Sequence, residues 1–229
     1  MTPARRNFRD REQLAEALAT AVADTLKAGV KARGAASLAV SGGSTPTAFF
    51  KALASRDDVP WDKVTVTLVD ERWVDTGSDR SNARLVEANL LQGRAAAARF
   101  VPLYQGGSLP DADAASAAQR GVPQPLDAAV LGMGNDGHTA SFFPGGDTLA
   151  EALTAEGPVV ALRAPGAGEP RVTLTLPVLA AARALYLHIE GEEKAATLER
   201  ALADGPIEDM PVRAVLREAD TQLTIYWCP

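Results

Sequence analysis

Apolar residues recur along the chain with two different periods. Over residues 10–31 the period is close to four, with apolar side chains at Leu14, Leu18, Val22 and Leu26. This spacing predicts an amphipathic helix, and the separation of Asp10 and Gln13 is that of a capping box at its start. The next segment, Ser37-Leu38-Ala39-Val40, is short and mostly apolar. It indicates a buried strand.

Strand-like runs and helical segments then alternate to the end of the chain. Predicted strands follow at residues 64–69, 127–131, 159–162, 171–176, 185–189 and 221–227. Predicted helices cover residues 46–54, 82–91 and 192–203. Ser81 is the expected N-cap of the second of them. The alternation favours an α/β fold with a three-layer, largely parallel, Rossmann-like sheet and helices on both faces. We treat residues 1–229 as a single domain.

The charge balance and the cysteine content limit the classes of function. The formal net charge is −6, which repels nucleic acid and anionic membranes, so we expect neither as a partner. An anionic metabolite can still bind where a few arginine and lysine side chains are concentrated. Cys228 is the only cysteine, which excludes an internal disulfide and a cysteine-based metal site. The charged N-terminus lacks the apolar segment of a secretory signal, and we expect a cytoplasmic protein.

Residues 41–46, Ser-Gly-Gly-Ser-Thr-Pro, join the first predicted strand to the following helix. Gly42 and Gly43 allow the backbone to approach a ligand closely. Ser44 and Thr45 supply hydroxyl donors, and the helix N-terminus adds a positive partial charge. These are the features of a phosphate-binding loop. A plain tight turn with Thr45 as the N-cap fits the same residues.

Residues 132–137 match the G-x-G-x-x-G pattern of dinucleotide-binding loops. The context does not fit, because the segment follows a third strand and Pro144 interrupts any helix soon afterwards. The segment does place Asp136 and His138 on a glycine-flanked turn at the end of a strand, with His138 as a candidate general base that Asp136 orients. An Asx-turn with an incidental surface histidine is the alternative. The other histidine, His188, alternates with apolar residues and is expected to be structural.

Two further groups of charged residues are weaker candidates. Asp70 and Arg72 end a predicted strand, where they can contact sugar hydroxyls and an anionic group, although a solvated charge run fits equally well. Lys194 lies in the first turn of a predicted helix, where a cation opposes the helix dipole unless an anion is close. Glu192 and Glu193 are available as that anion.

Together these segments resemble the 6-phosphogluconolactonase family, within the fold group of the glucosamine-6-phosphate deaminases and phosphopentose isomerases. The resemblance spans residues 37–203 and is carried, in family order, by residues 41–46, 70–74, 81–82, 132–145, 171–175 and 191–194. It implies hydrolysis of 6-phospho-D-glucono-1,5-lactone to 6-phosphogluconate in the pentose phosphate pathway, with no metal or other cofactor. We expect a monomer or a weak homodimer.

The resemblance also implies roles for single residues. The substrate phosphate would be held by Gly42, Gly43, Ser44, Thr45, Arg171 and Lys194. Arg72 and Asn82 would be polar contacts to the substrate, and Asp70 is a further candidate contact. His138 would activate water with the support of Asp136. The oxyanion would be stabilised either by Arg72 or by backbone N–H groups of a glycine-rich turn.

Two alternatives remain open. An isomerase or deaminase of the same fold group needs a second titrating group, and the deaminases carry a Glu where Phe143 stands here, so Phe143 favours the lactonase. A non-catalytic sugar-phosphate sensor, as in some transcription regulators, would need a DNA-binding extension. The segment before the first predicted strand contains only one predicted helix, and His138 is retained, so the sensor is disfavoured.

Overall fold

The computed structural model describes residues 3–107, 110, 112–218 and 223–229. Its strands are Ala4–Asn7 (β1), Ala36–Val40 (β2), Val64–Leu68 (β3), Asp70–Arg72 (β4), Arg99–Val101 (β5), Ala128–Leu131 (β6), Val159–Leu162 (β7), Arg171–Leu174 (β8), Ala184–Glu190 (β9) and Leu223–Cys228 (β10). Its α-helices are Arg11–Arg33 (α1), Thr47–Ala54 (α2), Asn82–Asn89 (α3), Ala112–Gln119 (α4), Leu149–Thr154 (α5), Leu176–Ala180 (α6), Glu192–Leu202 (α7) and Val212–Glu218 (α8).

Seven strands form a parallel sheet in the order β1-β10-β9-β6-β2-β3-β5. Strands β2 and β6 are buried along their whole length, as expected for a parallel sheet that is covered on both faces. Helix α1 packs against β2 and β10, and α7 packs against β9. The prediction of an α/β fold built on a largely parallel sheet is confirmed.

Helix α1 begins where the sequence predicts it. The Asp10 side chain accepts a hydrogen bond from the N–H of Gln13 at 2.8 Å. The Gln13 side chain accepts in turn from the N–H of Arg9 at 2.9 Å, one residue before the position that a capping box uses. The helix ends at Arg33 because Gly34 follows in the left-handed conformation, with φ of 78°.

A second, antiparallel sheet of three strands was not predicted. Its order is β4-β8-β7, so the predicted strands at 159–162 and 171–176 pair here and not in the parallel sheet. The chain crosses between the sheets at Val69, whose N–H donates to Val40 of the first sheet and whose carbonyl accepts from Leu174 of the second. Residues 64–69 and 70–72 therefore belong to different sheets.

Other departures from the prediction concern short elements and segment ends. Strands β1 and β5 and helices α4, α5, α6 and α8 have no more than eight residues each, too few for a clear apolar period. Residues 221 and 222 of the last predicted strand lie outside the described residues. Among the described helices, none combines the length and the apolar character required to cross a bilayer.

Candidate functional site

A cleft of about 440 Å³ opens at the carboxyl ends of β2 and β6, between the parallel sheet and the antiparallel one. Ligands of parallel α/β sheets bind at this edge. Every residue predicted from the sequence as catalytic or binding lines the cleft, except Asp136. The predicted residues that line it are Gly42, Gly43, Ser44, Thr45, Asp70, Arg72, Asn82, His138, Arg171 and Lys194.

The loop of residues 41–46 forms one wall of this cleft. The N–H of Ser41 donates to the carbonyl of Val130 at 2.9 Å, and the Ser41 hydroxyl accepts from the N–H of Gly132 at 3.1 Å. These two bonds tie the loop to the turn after β6. Helix α2 starts without a side-chain cap, so the alternative in which Thr45 serves as the N-cap is wrong.

Gly42 and Gly43 are required for two different reasons. Gly43 has φ of 93°, a left-handed conformation that other residues adopt only with strain. At Gly42 a Cβ atom would lie 1.9 Å from Oδ1 of Asn82. The missing side chain of Gly42 thus makes room for Asn82 from the neighbouring wall, a reason that the sequence pattern did not indicate.

Arg72 and Arg171 are directly opposed in the antiparallel pairing of β4 and β8. Like charges at opposed positions of a sheet repel each other. In each guanidinium the Nε atom is buried without a hydrogen-bond partner among the described residues. Both side chains line the cleft, so two cations with unused donors lie side by side at its wall.

Arg171 is held from three directions. Its Nη2 donates to the carbonyl of Ala167 at 2.8 Å, its Nη1 lies 3.5 Å from Oδ2 of Asp70, and its guanidinium lies 5.2 Å from the ring centre of Phe143. Burial lowers the pKa of Arg171, the charge of Asp70 raises it, and that of Arg72 lowers it further. The side chain is only 7% exposed, so its charge is oriented into the cleft with little solvent to shield it.

Asp70 is fixed in the same wall. Its Oδ2 accepts from the hydroxyl of Ser141 at 2.6 Å and faces Arg171. Asp70 is 5% exposed. The alternative of a solvated charge run is therefore wrong for Asp70, because the carboxylate is buried and already has two partners.

Lys194 supplies a further cation of the cleft. Its Nζ donates to the carbonyl of Met133 at 2.6 Å. Burial lowers the pKa of Lys194, although the charges of Glu190, Glu193 and Asp136 act in the opposite direction. No carboxylate of the described chain forms a salt bridge with it, so Glu193 does not neutralise Lys194 by direct contact.

His138 and Asp136 form a hydrogen-bonded pair at the cleft edge. Nδ1 of His138 lies 2.6 Å from Oδ1 of Asp136, and the His138 N–H donates to the same oxygen at 3.1 Å. Partial burial would raise the pKa of Asp136, but the hydrogen bond and charge of His138 outweigh it, so the pKa lies below its ordinary value. An ionised Asp136 can only accept in this hydrogen bond, so the proton of the neutral His138 ring lies on Nδ1. Nε2 of His138 is then unprotonated and can accept a proton.

The turn that carries this pair depends on glycine. A Cβ atom at Gly134 would lie 2.2 Å from Nδ1 of His138 and 2.5 Å from Oδ1 of Asp136. Gly137 has φ of 81°. The next described helix after β6 is α5, which begins only at Leu149, so the G-x-G-x-x-G segment forms a turn that makes room for the His–Asp pair.

Phe143 contacts both His138 and Arg171. Its ring is stacked on that of His138 at 4.2 Å between centres, with 24° between the planes. The guanidinium of Arg171 lies over the same ring. Phe143 is 3% exposed, and through it the histidine and the arginine are held in a fixed relation.

Nearly the whole chain is similar to known proteins. A profile of the family described as glucosamine-6-phosphate isomerases/6-phosphogluconolactonase matches residues 9–227. The chain belongs to this family. The 6-phosphogluconolactonase of Rhizobium meliloti (strain 1021) is 56% identical to it over 226 residues, which is 97% of both chains. The 6-phosphogluconolactonase of Pseudomonas putida is 44% identical over 224 residues, 96% of this chain and 90% of that one.

A solved structure agrees with these relatives. The crystal structure of a 6-phosphogluconolactonase from Shewanella baltica OS155 matches with a TM-score of 0.95 and 40% identity, covering 99% of this chain and 98% of that one. The predicted family, fold group and enzyme class are confirmed.

His188 combines the contacts of a structural residue with a place in the lining of the cleft. It is 3% exposed, its Nε2 lies 3.0 Å from Oε1 of Glu190, and its ring packs edge-on against Phe49 of α2. These contacts agree with the predicted structural role. The side chain also reaches the cleft, which the alternation of β9 did not indicate.

Glu71 was not considered a site residue from the sequence, because it stands between Asp70 and Arg72 in a run of charges. The structure buries it completely. Its carboxylate accepts four hydrogen bonds, from the N–H groups of Arg72, Asn82 and Ala83 and the hydroxyl of Ser81. Its position next to two predicted site residues makes it part of the support of the cleft.

Proposed function

We propose that this enzyme hydrolyses 6-phospho-D-glucono-1,5-lactone to 6-phosphogluconate, with His138 as the general base. Support comes from the relatives of that name over nearly the whole chain and from the composition of the cleft. One observation carries the proposal: His138, hydrogen-bonded to Asp136, lines the same cleft as Arg72, Arg171 and Lys194, and the Nε of each arginine has no partner among the described residues. A base next to a concentrated positive charge suits an anionic substrate that water must attack.

The phosphate of the substrate binds between the loop of residues 42–45 and the side chains of Arg171 and Lys194. The loop offers backbone and hydroxyl donors, and both cations are partly desolvated, which strengthens their attraction for a phosphate dianion. Arg72 lies beside Arg171 and lines the cleft, and its Nε has no partner among the described residues, so its guanidinium is the candidate for stabilising the oxygen that becomes negative in the reaction. A substrate with a phosphate and a developing oxyanion thus relieves the repulsion between the two arginines.

The reaction proceeds by base-assisted attack of water. Nε2 of His138 takes a proton from a water molecule as its oxygen bonds to the lactone carbonyl carbon, and the carbonyl oxygen becomes an oxyanion. The bond between this carbon and the ring oxygen then breaks. The ring oxygen leaves as a hydroxyl group with the proton from His138, which restores the neutral histidine. Asp136 stabilises the imidazolium between the two proton transfers.

The geometry gives less support to the isomerase or deaminase alternative. Those reactions need a second titrating group near the base, and the position in question carries the apolar Phe143 stacked on His138. Asp70, which lines the cleft, is already engaged with Ser141 and Arg171. We therefore assign Asp136, and not Asp70, as the carboxylate that assists the base.

A parallel assay of three substrates tests the proposed function. Purified protein is added to freshly generated 6-phosphogluconolactone and acid release is followed above the spontaneous rate, with glucosamine 6-phosphate and ribose 5-phosphate in separate reactions. We expect turnover of the lactone only. Ammonia release from the amino sugar, or ketose formation from the pentose, would favour the isomerase or deaminase. Binding of 6-phosphogluconate without any turnover would favour the sensor.

A further inference from the structure

Glu71 is a fully buried carboxylate whose partners are hydrogen-bond donors of the backbone and one hydroxyl. Its Oε1 accepts from the N–H groups of Arg72 and Asn82, both at 2.8 Å. Its Oε2 accepts from the N–H of Ala83 at 2.8 Å and the Ser81 hydroxyl at 3.1 Å. Each oxygen therefore has two donors, and the orientation of the carboxylate is fixed.

Two of these donors belong to the first turn of α3. The N–H groups at the start of a helix have no partner within the helix, and those of Asn82 and Ala83 are satisfied by Glu71. The negative charge at this end also suits the helix dipole. Glu71 thus joins the start of α3 to β4, and the two elements carry Asn82 and Arg72.

The side chain of Asn82 continues this connection into the cleft. Its Oδ1 accepts from Nη1 of Arg72 at 2.9 Å, and its Nδ2 donates to the carbonyl of Asp70 at 2.9 Å. The amide group occupies the space that the absent side chain of Gly42 leaves. A displacement of Asn82 would consequently disturb both the guanidinium of Arg72 and the loop of residues 41–46.

The charge of Glu71 does not by itself stabilise the fold. Burial raises the pKa of Glu71 above its ordinary value, even though the N–H groups of Asn82, Ala83 and Arg72 act in the opposite direction. A carboxyl group with a higher pKa in the folded than in the unfolded state weakens the fold as the pH rises between the two values. The presence of a buried carboxyl group here calls for another reason.

We propose that Glu71 is a positioning residue, whose buried carboxylate fixes Asn82 and, through Asn82, holds the Arg72 guanidinium where the substrate needs it. This inference rests on the proposed function, in which Arg72 contacts the reacting substrate. Glu71 itself does not touch the substrate, because its side chain has no exposed surface.

The first test compares Glu71→Gln with Glu87→Gln. The amide keeps the size of the side chain but replaces one acceptor oxygen with a donor, which leaves at least one N–H at the start of α3 without a partner. We expect kcat/KM for the lactone to fall at least about tenfold at a temperature where the variant is folded. Glu87 is exposed on the same helix, and its variant should keep wild-type constants.

A double-mutant cycle with Arg72→Ala separates positioning from a purely structural role. If Glu71 acts through Arg72, Glu71→Gln should lower kcat/KM by less than about twofold in the Arg72→Ala background, because the group it positions is gone. An equal loss in both backgrounds would overturn the proposal, as would a Glu71→Gln enzyme with a lower Tm but wild-type kcat and KM. If Glu71→Gln does not fold, Glu71→Asp enters the same cycle with the same expected outcome.

Two measurements that do not depend on turnover test the positioning role of Glu71 separately from the proposed function. Amide hydrogen exchange at Asn82 and Ala83 should accelerate in Glu71→Gln, and the NMR signals of the Arg72 guanidinium should shift, with no such change in Glu87→Gln. If the wild type does not hydrolyse the lactone, the proposed function fails, and these signals still report on Glu71. Unchanged exchange and unchanged Arg72 signals would overturn the positioning role regardless of activity.

Discussion

Arg72 and Arg171 are opposed partners in the pairing of two short antiparallel strands, and both guanidinium groups line the same cleft. Opposed like charges are unfavourable in a sheet. The neighbouring carboxylate, Asp70, lies 3.5 Å from Arg171 and compensates part of the positive charge of this wall. We propose that an anionic ligand completes this arrangement, which would link a local feature of strand pairing to the choice of substrate.

An anion should therefore stabilise the protein through these arginines. We expect inorganic phosphate to raise the Tm of the wild type, since a ligand at about 100 times its Kd adds about 2.7 kcal/mol to the free energy of unfolding. In Arg171→Ala the rise should be much smaller, and KM for the lactone should increase. Arg163 is exposed and does not line the cleft, so Arg163→Ala is the matched control. Equal stabilisation of all three proteins by phosphate would contradict the assignment.

Because of Lys194, the affinity for an anionic ligand should fall as the pH rises into the alkaline range. Burial lowers its pKa, so the side chain loses its proton, and its attraction for phosphate, at a lower pH than an exposed lysine. We expect the Kd of 6-phosphogluconate, measured by calorimetry, to rise as the pH increases towards the alkaline range. In Lys194→Arg the charge persists, and the rise should be absent. The same pH dependence in both proteins would assign it to another group.

Replacement of Phe143 should impair the reaction more than replacement of its neighbour Phe142. Phe143→Leu removes the stacking on His138 and the contact with Arg171, so both kcat and KM should worsen. Phe142 is fully buried but does not line the cleft. Phe142→Leu should cost about 1 to 3 kcal/mol of stability and leave the kinetic constants near those of the wild type. Steady-state kinetics and thermal unfolding of the two variants distinguish the effects, and identical kinetics would remove Phe143 from the site.

A methyl group at Gly42 should disrupt the cleft through Asn82. The added Cβ would overlap the amide of Asn82, which must move and release Nη1 of Arg72. We expect Gly42→Ala to lower kcat/KM strongly. At Gly157 a Cβ would meet its nearest neighbour, Nε2 of Gln119, at an ordinary distance of 3.6 Å, so Gly157→Ala should be tolerated. An active Gly42→Ala enzyme would mean that Asn82 does not have to occupy this position.

The sequence predicted the parallel sheet and the cleft at its edge because these depend on local patterns. Strands such as β2 are continuous apolar runs, and the segments that follow them carry glycine, hydroxyl and charged residues within a few positions. The ends of parallel strands meet at one edge of the sheet. His138 and the loop of residues 41–46 could therefore be assigned to one site before their distance was known.

The antiparallel sheet and the role of Glu71 could not be predicted in this way. Strand β4 has three residues, too short for an alternating pattern, and all three are charged. Its partner β8 lies about a hundred residues later in the chain, so the opposition of Arg72 and Arg171 depends on a long-range register. The space that Gly42 leaves for Asn82 likewise depends on a tertiary contact.

The central claim is that His138 removes the proton from water during hydrolysis of the lactone. It is tested most directly by kcat as a function of pH for the wild type, Asp136→Asn and His138→Ala, with circular dichroism to verify folding. We expect kcat of the wild type to fall on acidification, because a protonated imidazole cannot accept a proton. His138→Ala should lose on the order of a hundred- to ten-thousand-fold in kcat together with this acid limb, and Asp136→Asn should be impaired with its affinity for 6-phosphogluconate retained. A folded His138→Ala enzyme with the kcat and the pH profile of the wild type would contradict the claim.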